Sequence, residues 1–438
     1  MIKHSILLCA TFLALAGARA QESARIHRTE AVPYDTRHDA EARNRAASGH
    51  TIDFRPKTSI VTEGALSAVL EQQIEIPYVW TDGCVYLHLE NPGSACSLWI
   101  NDRQAAEIDD PLTPAEFDIT PYIRQGANDF KLLMRSGRDR LDAPHPTRFE
   151  PFANSYLYYQ NKRSIRDFEI ALVPDTLGRN FAMLDLKIVA QNMFNYDEKV
   201  EVGYDIYSPQ GKLLEFNIRE VTIPGRSTDT VRFTPFIYHA FENKWESSAK
   251  NPPLYKVMLF TRRNGTYKEY MPLKIGFGKT ALVDGQLTRL GKPLKLNACR
   301  YNADADVKTT SARLLALRKE GYNAVAPDYP QPEWFYGLCD ELGLHVLDRA
   351  NIHAPERRTD RRVGGTPSND PALADEYLER VKAMYYRSRN HTCVAAYILG
   401  GEAGNGYCMY KAYQWLKSVE HDRPVLCVDA DGEWNSDL

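Results

Sequence analysis

Between about residues 62 and 275, apolar and polar side chains alternate in short runs bounded by turn residues, the period-two pattern of strands with one buried face. Val85-Tyr86-Leu87-His88-Leu89 is one such run. Leu184-Asp185-Leu186-Lys187-Ile188-Val189-Ala190 and Val200-Glu201-Val202-Gly203-Tyr204-Asp205-Ile206-Tyr207 are two more, with polar turns at Asn195 and Pro209-Gln210-Gly211. The pattern predicts two consecutive β-sandwiches, over residues 62–175 and 176–275, and the strand spacing of the second suits an immunoglobulin-like sandwich. Residues 21–61 are polar, rich in Arg, Asp, Glu and Ala, and read as an irregular lead-in.

Near Gly276 the period changes, and apolar strand-like runs begin to alternate with helical stretches, as in βα units of a parallel sheet. Strands are predicted at residues 293–298, 323–326, 345–348, 393–399 and 424–428. Helices are predicted at 311–320, 334–342, 370–387 and 410–421, with a polar loop over 356–368. A closed (β/α)8 barrel needs eight strands, and this region supplies about five. The fold class expected is therefore multidomain β plus α/β, ending in a partial TIM barrel over residues 276–438. An incomplete parallel sheet leaves an edge with unpaired backbone groups. Two explanations are open: a truncated or split reading frame, or a barrel-completing partner or oligomer. Residues 429–438 carry no helix cap or apolar docking segment and read like the loop before a sixth strand, which favours the first.

Composition narrows the function classes. Residues 1–20 have the form of an export signal: Lys3 and His4, an apolar core over residues 6–16, and Ala18-Arg19-Ala20 before Gln21. A periplasmic or secreted protein is expected, without a membrane span, since no later run approaches the roughly 20 apolar residues a spanning helix requires. A formal net charge of −3 gives no basic patch for nucleic acid. Cys84, Cys96, Cys299, Cys339, Cys393, Cys408 and Cys427 show no C-x-x-C spacing, so neither a zinc site nor a disulfide framework is predicted. Most of the 25 tyrosines read as half-buried strand residues, with rings to spare for stacking on sugars.

The chemistry concentrates at Glu402, just past the apolar run 393–399. Barrel enzymes carry catalytic residues at the C-terminal ends of their strands. The stretch Arg389-Asn390-His391-Thr392-Cys393-Val394-Ala395-Ala396-Tyr397-Ile398-Leu399-Gly400-Gly401-Glu402 resembles the "R-x-x-N-H-P-S-V-x-x-W-S-x-G-N-E" acid/base motif of glycoside hydrolase family 2, the β-galactosidase and β-glucuronidase family. Gly343-Leu344-His345-Val346-Leu347-Asp348-Arg349-Ala350-Asn351-Ile352 resembles its "G-L-Y-V-x-D-E-A-N-I". Ser97-Leu98-Trp99-Ile100-Asn101-Asp102 and Phe117-Asp118-Ile119-Thr120-Pro121-Tyr122-Ile123 resemble pieces of its jelly-roll domain. Ser164-Ile165-Arg166-Asp167-Phe168-Glu169-Ile170 resembles that domain's closing strand, and Trp245 with Pro252-Pro253-Leu254-Tyr255 the end of its second sandwich. The resemblance covers about residues 62–438 and implies a jelly-roll sandwich, an immunoglobulin-like sandwich and a TIM barrel, in that order.

It also implies an oligo- or polysaccharide as ligand, no cofactor, and Glu402 as the acid/base of a retaining β-glycosidase. Such an enzyme needs a second carboxylate about 5–5.5 Å away, which in the family comes from a later barrel strand. By position Asn302, Asp328, Asn351 and Gly401 would line the sugar pocket, yet several polar residues of the family's pocket are replaced. The family's histidines become Asn302 and Asp328, an arginine becomes Ala326, the "D-E-A-N" glutamate becomes Arg349, and the asparagine before the acid becomes Gly401. Gly401 offers no side chain to the 2-hydroxyl, whose hydrogen bond strengthens in the transition state. The places of the magnesium ligands that some members use hold His353 and Pro355, so no metal is expected. Two functions follow: an exported β-glycosidase of the β-galactosidase type, or a catalytically inactive relative that binds carbohydrate or a partner protein.

Overall fold

The computed structural model describes residues 24–61, 66–135, 141–144, 154–173, 181–304 and 306–438. The export signal expected at residues 1–20 lies outside them. Antiparallel sheets fill the first two-thirds and a parallel sheet the last third, a multidomain β plus α/β protein.

Two sheets face each other first. One runs in the order Lys57–Val61, Leu66–Ile76, Gly126–Arg135, Cys96–Ile100, Arg103–Ile108. The other runs Thr51–Asp53, Tyr156–Gln160, Cys84–Leu89, Ala115–Asp118. Leu70, Ile74 and Leu132 from one sheet and Leu87, Leu89 and Leu157 from the other meet in a single buried cluster. A second pair of sheets closes over Leu186, Ile188, Val202, Tyr204 and Leu259. Its sheets contain Arg163–Val173, Phe181–Asn192 and Ser227–Phe233 on one side, and Leu213–Ile223, Glu198–Tyr207, Tyr255–Arg263 and Thr266–Ile275 on the other.

The structure corrects two sequence assignments here. The run 164–170, expected to close the first sandwich, pairs instead with Phe181–Asn192 from Arg163↔Asn192 to Val173↔Met183. The cause is burial: Ile165, Phe168 and Ile170 point into the second core. The lead-in is not irregular throughout, since Thr51–Asp53 pairs with Tyr156–Gln160 and Tyr34 bridges Tyr270.

The parallel sheet runs in chain order through Ala298–Arg300, Ala324–Ala326, His345–Arg349, Val394–Ile398 and Val425–Leu426. Helices Val307–Lys319, Glu333–Leu342, Ala374–Ser388 and Tyr407–Val419 follow the first four strands. Asp306 caps the first helix by accepting from the Thr309 amide. Gly343 ends the second at φ 72°, and a Cβ there would lie 2.8 Å from Pro252, so backbone conformation and sandwich contact both require glycine. The first strand begins later than its apolar run suggests, because Lys292–Pro293 joins a small sheet with Thr280–Val283 and Gln286–Arg289.

The far edge of the sheet is covered by the chain itself. The Val425 amide donates to Asp437 Oδ2 at 2.8 Å, its carbonyl accepts from the Asp437 amide at 2.9 Å, and the Cys427 amide donates to Ser436 Oγ. Residues 429–438, expected to be a loop lacking docking contacts, are thus packed down. Asn435 is fully buried against Asn405, and Trp434 packs on Tyr410 and Tyr413.

Candidate active site

The strand ends of the parallel sheet collect the polar residues singled out in the sequence, but they divide into three groups. Asn302 and Asp328 form one unit. Asn302 Nδ2 donates to Asp328 Oδ2 at 2.9 Å, and Asn302 Oδ1 accepts from the Asp328 amide at 2.8 Å. Arg300 Nε donates to Asp328 Oδ1 at 2.6 Å, so both carboxylate oxygens are occupied. Arg349 completes the group with Nη1 3.6 Å from Asp328 Oδ1, an ion pair without a hydrogen bond. Burial pulls the Arg349 pKa below its ordinary value; Asp328 opposes that, and the neighbouring Arg300 adds to it.

Asn351 belongs to a different environment. It is fully buried, its Nδ2 donates to Asp110 Oδ1 at 2.7 Å and Asp142 Oδ1 at 3.0 Å, and its Oδ1 accepts from the Ala143 amide. Arg380, also buried, bridges Asp142 and the Asn351 carbonyl. The side chain expected to touch substrate therefore serves the junction between the first sandwich and the barrel sheet.

Glu402 lies on the loop after the fourth strand and is half exposed. Its carboxylate pairs with Arg358 Nη1 at 2.9 Å. The loop is stitched to the one after the third strand: the Gly401 amide donates to the Ile352 carbonyl at 2.7 Å, and the Glu402 carbonyl accepts from the Ala354 amide. A Cβ on Gly401 would stand 3.2 Å from His353 Nδ1, so a longer residue here fits only if that ring gives way. Arg358 also lies 3.9 Å from Asp429 Oδ1, while Asp429 Oδ2 accepts from the Ala403 and Gly404 amides at 2.9 and 2.7 Å. Asp429 thus holds the Glu402 loop in place. Neither Arg358 nor Asp429 was picked out from the sequence, although Asp429 follows an apolar strand run just as Asp328 does.

Other motif residues act as mortar. Arg389 pairs with Asp167 at 2.6 Å, and Asn390 accepts from the Ile170 amide and donates to Thr29. His391 Nδ1 bonds Asp340 at 2.7 Å, and Asp340 also receives the Cys393 amide. Trp245 Nε1 donates to the Asp340 carbonyl, tying the second sandwich to the same point.

Among the described residues two triads could bring three metal-ligand atoms together, Asp340–His391–Cys393 and Glu30–His88–Glu90. Burial disfavours a charged His391, but Asp340 outweighs it and raises its pKa; Glu30 and Glu90 do the same for His88. His391 already bonds Asp340 and His88 bonds Glu90 at 2.9 Å, and Arg387 bonds both Glu30 and Glu90. Both triads are accounted for as hydrogen-bonded ion clusters.

Antiparallel sandwiches leading into a parallel βα sheet, with polar residues gathered at its strand ends, define a multidomain protein of the (β/α)-barrel class. Residues 305–437 match the family model described as "Glycosyl hydrolases family 2, TIM barrel domain". The barrel-sheet region is thus similar to the TIM-barrel domain of glycoside hydrolase family 2. It is 28% identical over 350 residues to the β-galactosidase of Vibrio cholerae, covering 76% of this chain and 33% of that protein. It is 27% identical over 371 residues to the β-galactosidase of Priestia megaterium, covering 79% and 35%. Among solved structures, a family 2 member from Bacteroides cellulosilyticus superposes with a TM-score of 0.69 at 18% identity, covering 84% of this chain and 50% of that one. Bacteroides uniformis β-glucuronidase superposes with a TM-score of 0.70 at 18% identity, covering 83% and 46%. The chain spans about a third of the length of the β-galactosidases and about half that of the solved structures.

Proposed function

We propose that the strand-end rim of the parallel sheet binds a carbohydrate, and that the chain is the sandwich and acid/base-bearing portion of an exported β-glycosidase of the β-galactosidase type. The observation that carries this reading is the gathering of Asn302–Asp328, Arg349 and the Gly401–Glu402 loop on one rim of a sheet that matches a glycosidase barrel domain. In this reading Glu402 leaves Arg358 to protonate a glycosidic oxygen, and a second carboxylate forms the glycosyl-enzyme.

One observation favours a relative that binds glycan without cleaving it. Asp328 has both oxygens hydrogen-bonded, and Asp429 is fixed by two backbone amides, so of these three described carboxylates Glu402 is the one that can turn toward a substrate by leaving a single ion pair. A lone acid contributes about 10²–10⁴-fold, below the roughly 10⁶-fold at which enzymes generally begin. The test is to assay the protein with nitrophenyl β-galactoside, β-glucuronide and β-mannoside while measuring glycan binding by calorimetry. Turnover abolished by Glu402→Gln supports the glycosidase; binding without turnover supports the non-hydrolytic relative. Neither binding nor turnover would overturn the carbohydrate reading.

A further inference from the structure

One strand of the second sandwich has an open edge. Leu213–Ile223 ends its sheet and pairs with Glu198–Tyr207 on one side alone. Long exposed edges are normally blunted by lysine, proline or a bulge. This one contains neither lysine nor proline, and its register break falls at the Leu213 end, so Glu215 to Ile223 runs unbroken. Phe216 on it is 67% exposed. The Ile218 amide is taken up by the neighbouring Asn217 Oδ1 at 2.8 Å, which places it on the open side. Antiparallel strands turn the amide and carbonyl of alternate residues to alternate sides, so Phe216, Ile218 and Glu220 offer theirs outward.

The charges on this edge complement one another. Glu215 and Arg219 stand two residues either side of Asn217 and share one face of the strand. Glu215 accepts from the Tyr204 hydroxyl at 3.4 Å; Arg219 donates to the Arg232 carbonyl at 2.8 Å and lies over Phe233. Neither forms an ion pair among the described residues. Consider a second copy laid antiparallel along the edge with the two-fold axis at Asn217. Glu215 then lies opposite Arg219 of the second copy, and Arg219 opposite its Glu215. Phe216 meets Ile218 of that copy, and these are residues whose backbone groups point outward, so hydrogen bonds and charges select one register. Moving the axis to Phe216 or Ile218 sets Glu215 against Asn217 or Val221 and leaves both of these charges unmatched.

We infer that the partner of this edge is a second copy of the chain, joined through Leu213–Ile223 in a symmetric dimer with one sheet continuous across both molecules. This is independent of the carbohydrate reading above. The interface is small, below the roughly 1,200 Å² at which stable complexes begin, so the dimer is weak and forms as concentration rises.

The experiment is sedimentation equilibrium of the full protein over a concentration series, with charge reversals. Wild type should pass from monomer toward dimer as concentration rises. Glu215→Arg or Arg219→Glu sets like charges opposite each other twice per dimer and should weaken association roughly tenfold or more. The double variant E215R/R219E exchanges the two charges and should restore association to the wild-type level. Asn217→Cys lies on the axis at a non-hydrogen-bonded position, about 4.5 Å from its mate between Cα atoms, which is within disulfide reach. It should give a covalent dimer on mild oxidation. Thermal unfolding of each variant separates lost association from lost fold; if the reversals do not fold, wild-type sedimentation and the Asn217→Cys cross-link decide. A protein monomeric at every concentration would overturn the inference and leave the edge to a strand of some other protein. A dimer indifferent to both reversals and without the cross-link would overturn it as well.

Discussion

Glu269 lies fully buried in the second sandwich, where it accepts from the Ile165 amide at 2.6 Å and from Thr261 Oγ1 at 3.3 Å. Burial pushes its pKa up to about 8, so the folded protein holds a proton there that the unfolded chain releases above roughly pH 4.3. Stability from this group is therefore present at low pH and lost as pH rises toward 8, by about 1.4 kcal/mol per unit. Asp348, raised to about 6 by burial, acts in the same sense at lower pH, and Glu116, held at about 2 where Arg28 and Arg166 outweigh its burial, acts oppositely in acid. Glu269→Gln should gain stability over wild type progressively from pH 6 to 8. Melting temperatures of both proteins across that range check it, and a constant difference would contradict it. The site was partly legible at this scale. Asn302 and Asp328 follow apolar strand runs and do meet. Asn351 also follows one, but its partners Asp110 and Asp142 come from a distant part of the chain, which no local pattern reveals.

Among the elements, periodicity located the helices well because each buries one stripe: 311–320 became Val307–Lys319, and 410–421 became Tyr407–Val419. It misplaced 164–170 and 293–298, since alternation shows that a strand exists but not which sheet receives it. The edge strand Val425–Leu426 was expected to be bare and is instead satisfied by Asp437 and Ser436. Asp437 also accepts from Tyr413 and pairs with Lys417 at 2.9 Å. Asp437→Ala removes several hydrogen bonds worth about 1 kcal/mol each. It should therefore cost about 2–4 kcal/mol in urea unfolding and increase aggregation on refolding by freeing a sheet edge. A change below half a kcal/mol, on the order expected at an ordinary surface site, would show that the tail does not protect the edge.

Over the whole molecule, sandwiches and barrel sheet are bound by buried ion pairs. Arg28 meets Glu116, Arg387 meets Glu30 and Glu90, and Arg380 meets Asp142. The lead-in, legible only as polar, supplies Arg28 and Glu30 to that seam, because its charges find partners on both neighbours. Such pairs are poor sources of net stability but costly to break singly, and they fix the barrel rim relative to the sandwiches. The order of β units before the βα region was readable from the change of period near residue 276; the seam was not, since every pair in it spans a long stretch of sequence. The central claim is that the rim so held is a carbohydrate site. Its most direct test is a crystal structure of the protein soaked with a β-galactosyl disaccharide. The account predicts sugar density at the strand ends, touching Arg349 and within reach of Glu402. Density confined to the sandwich surfaces, or an empty rim at concentrations that saturate binding in solution, would contradict it.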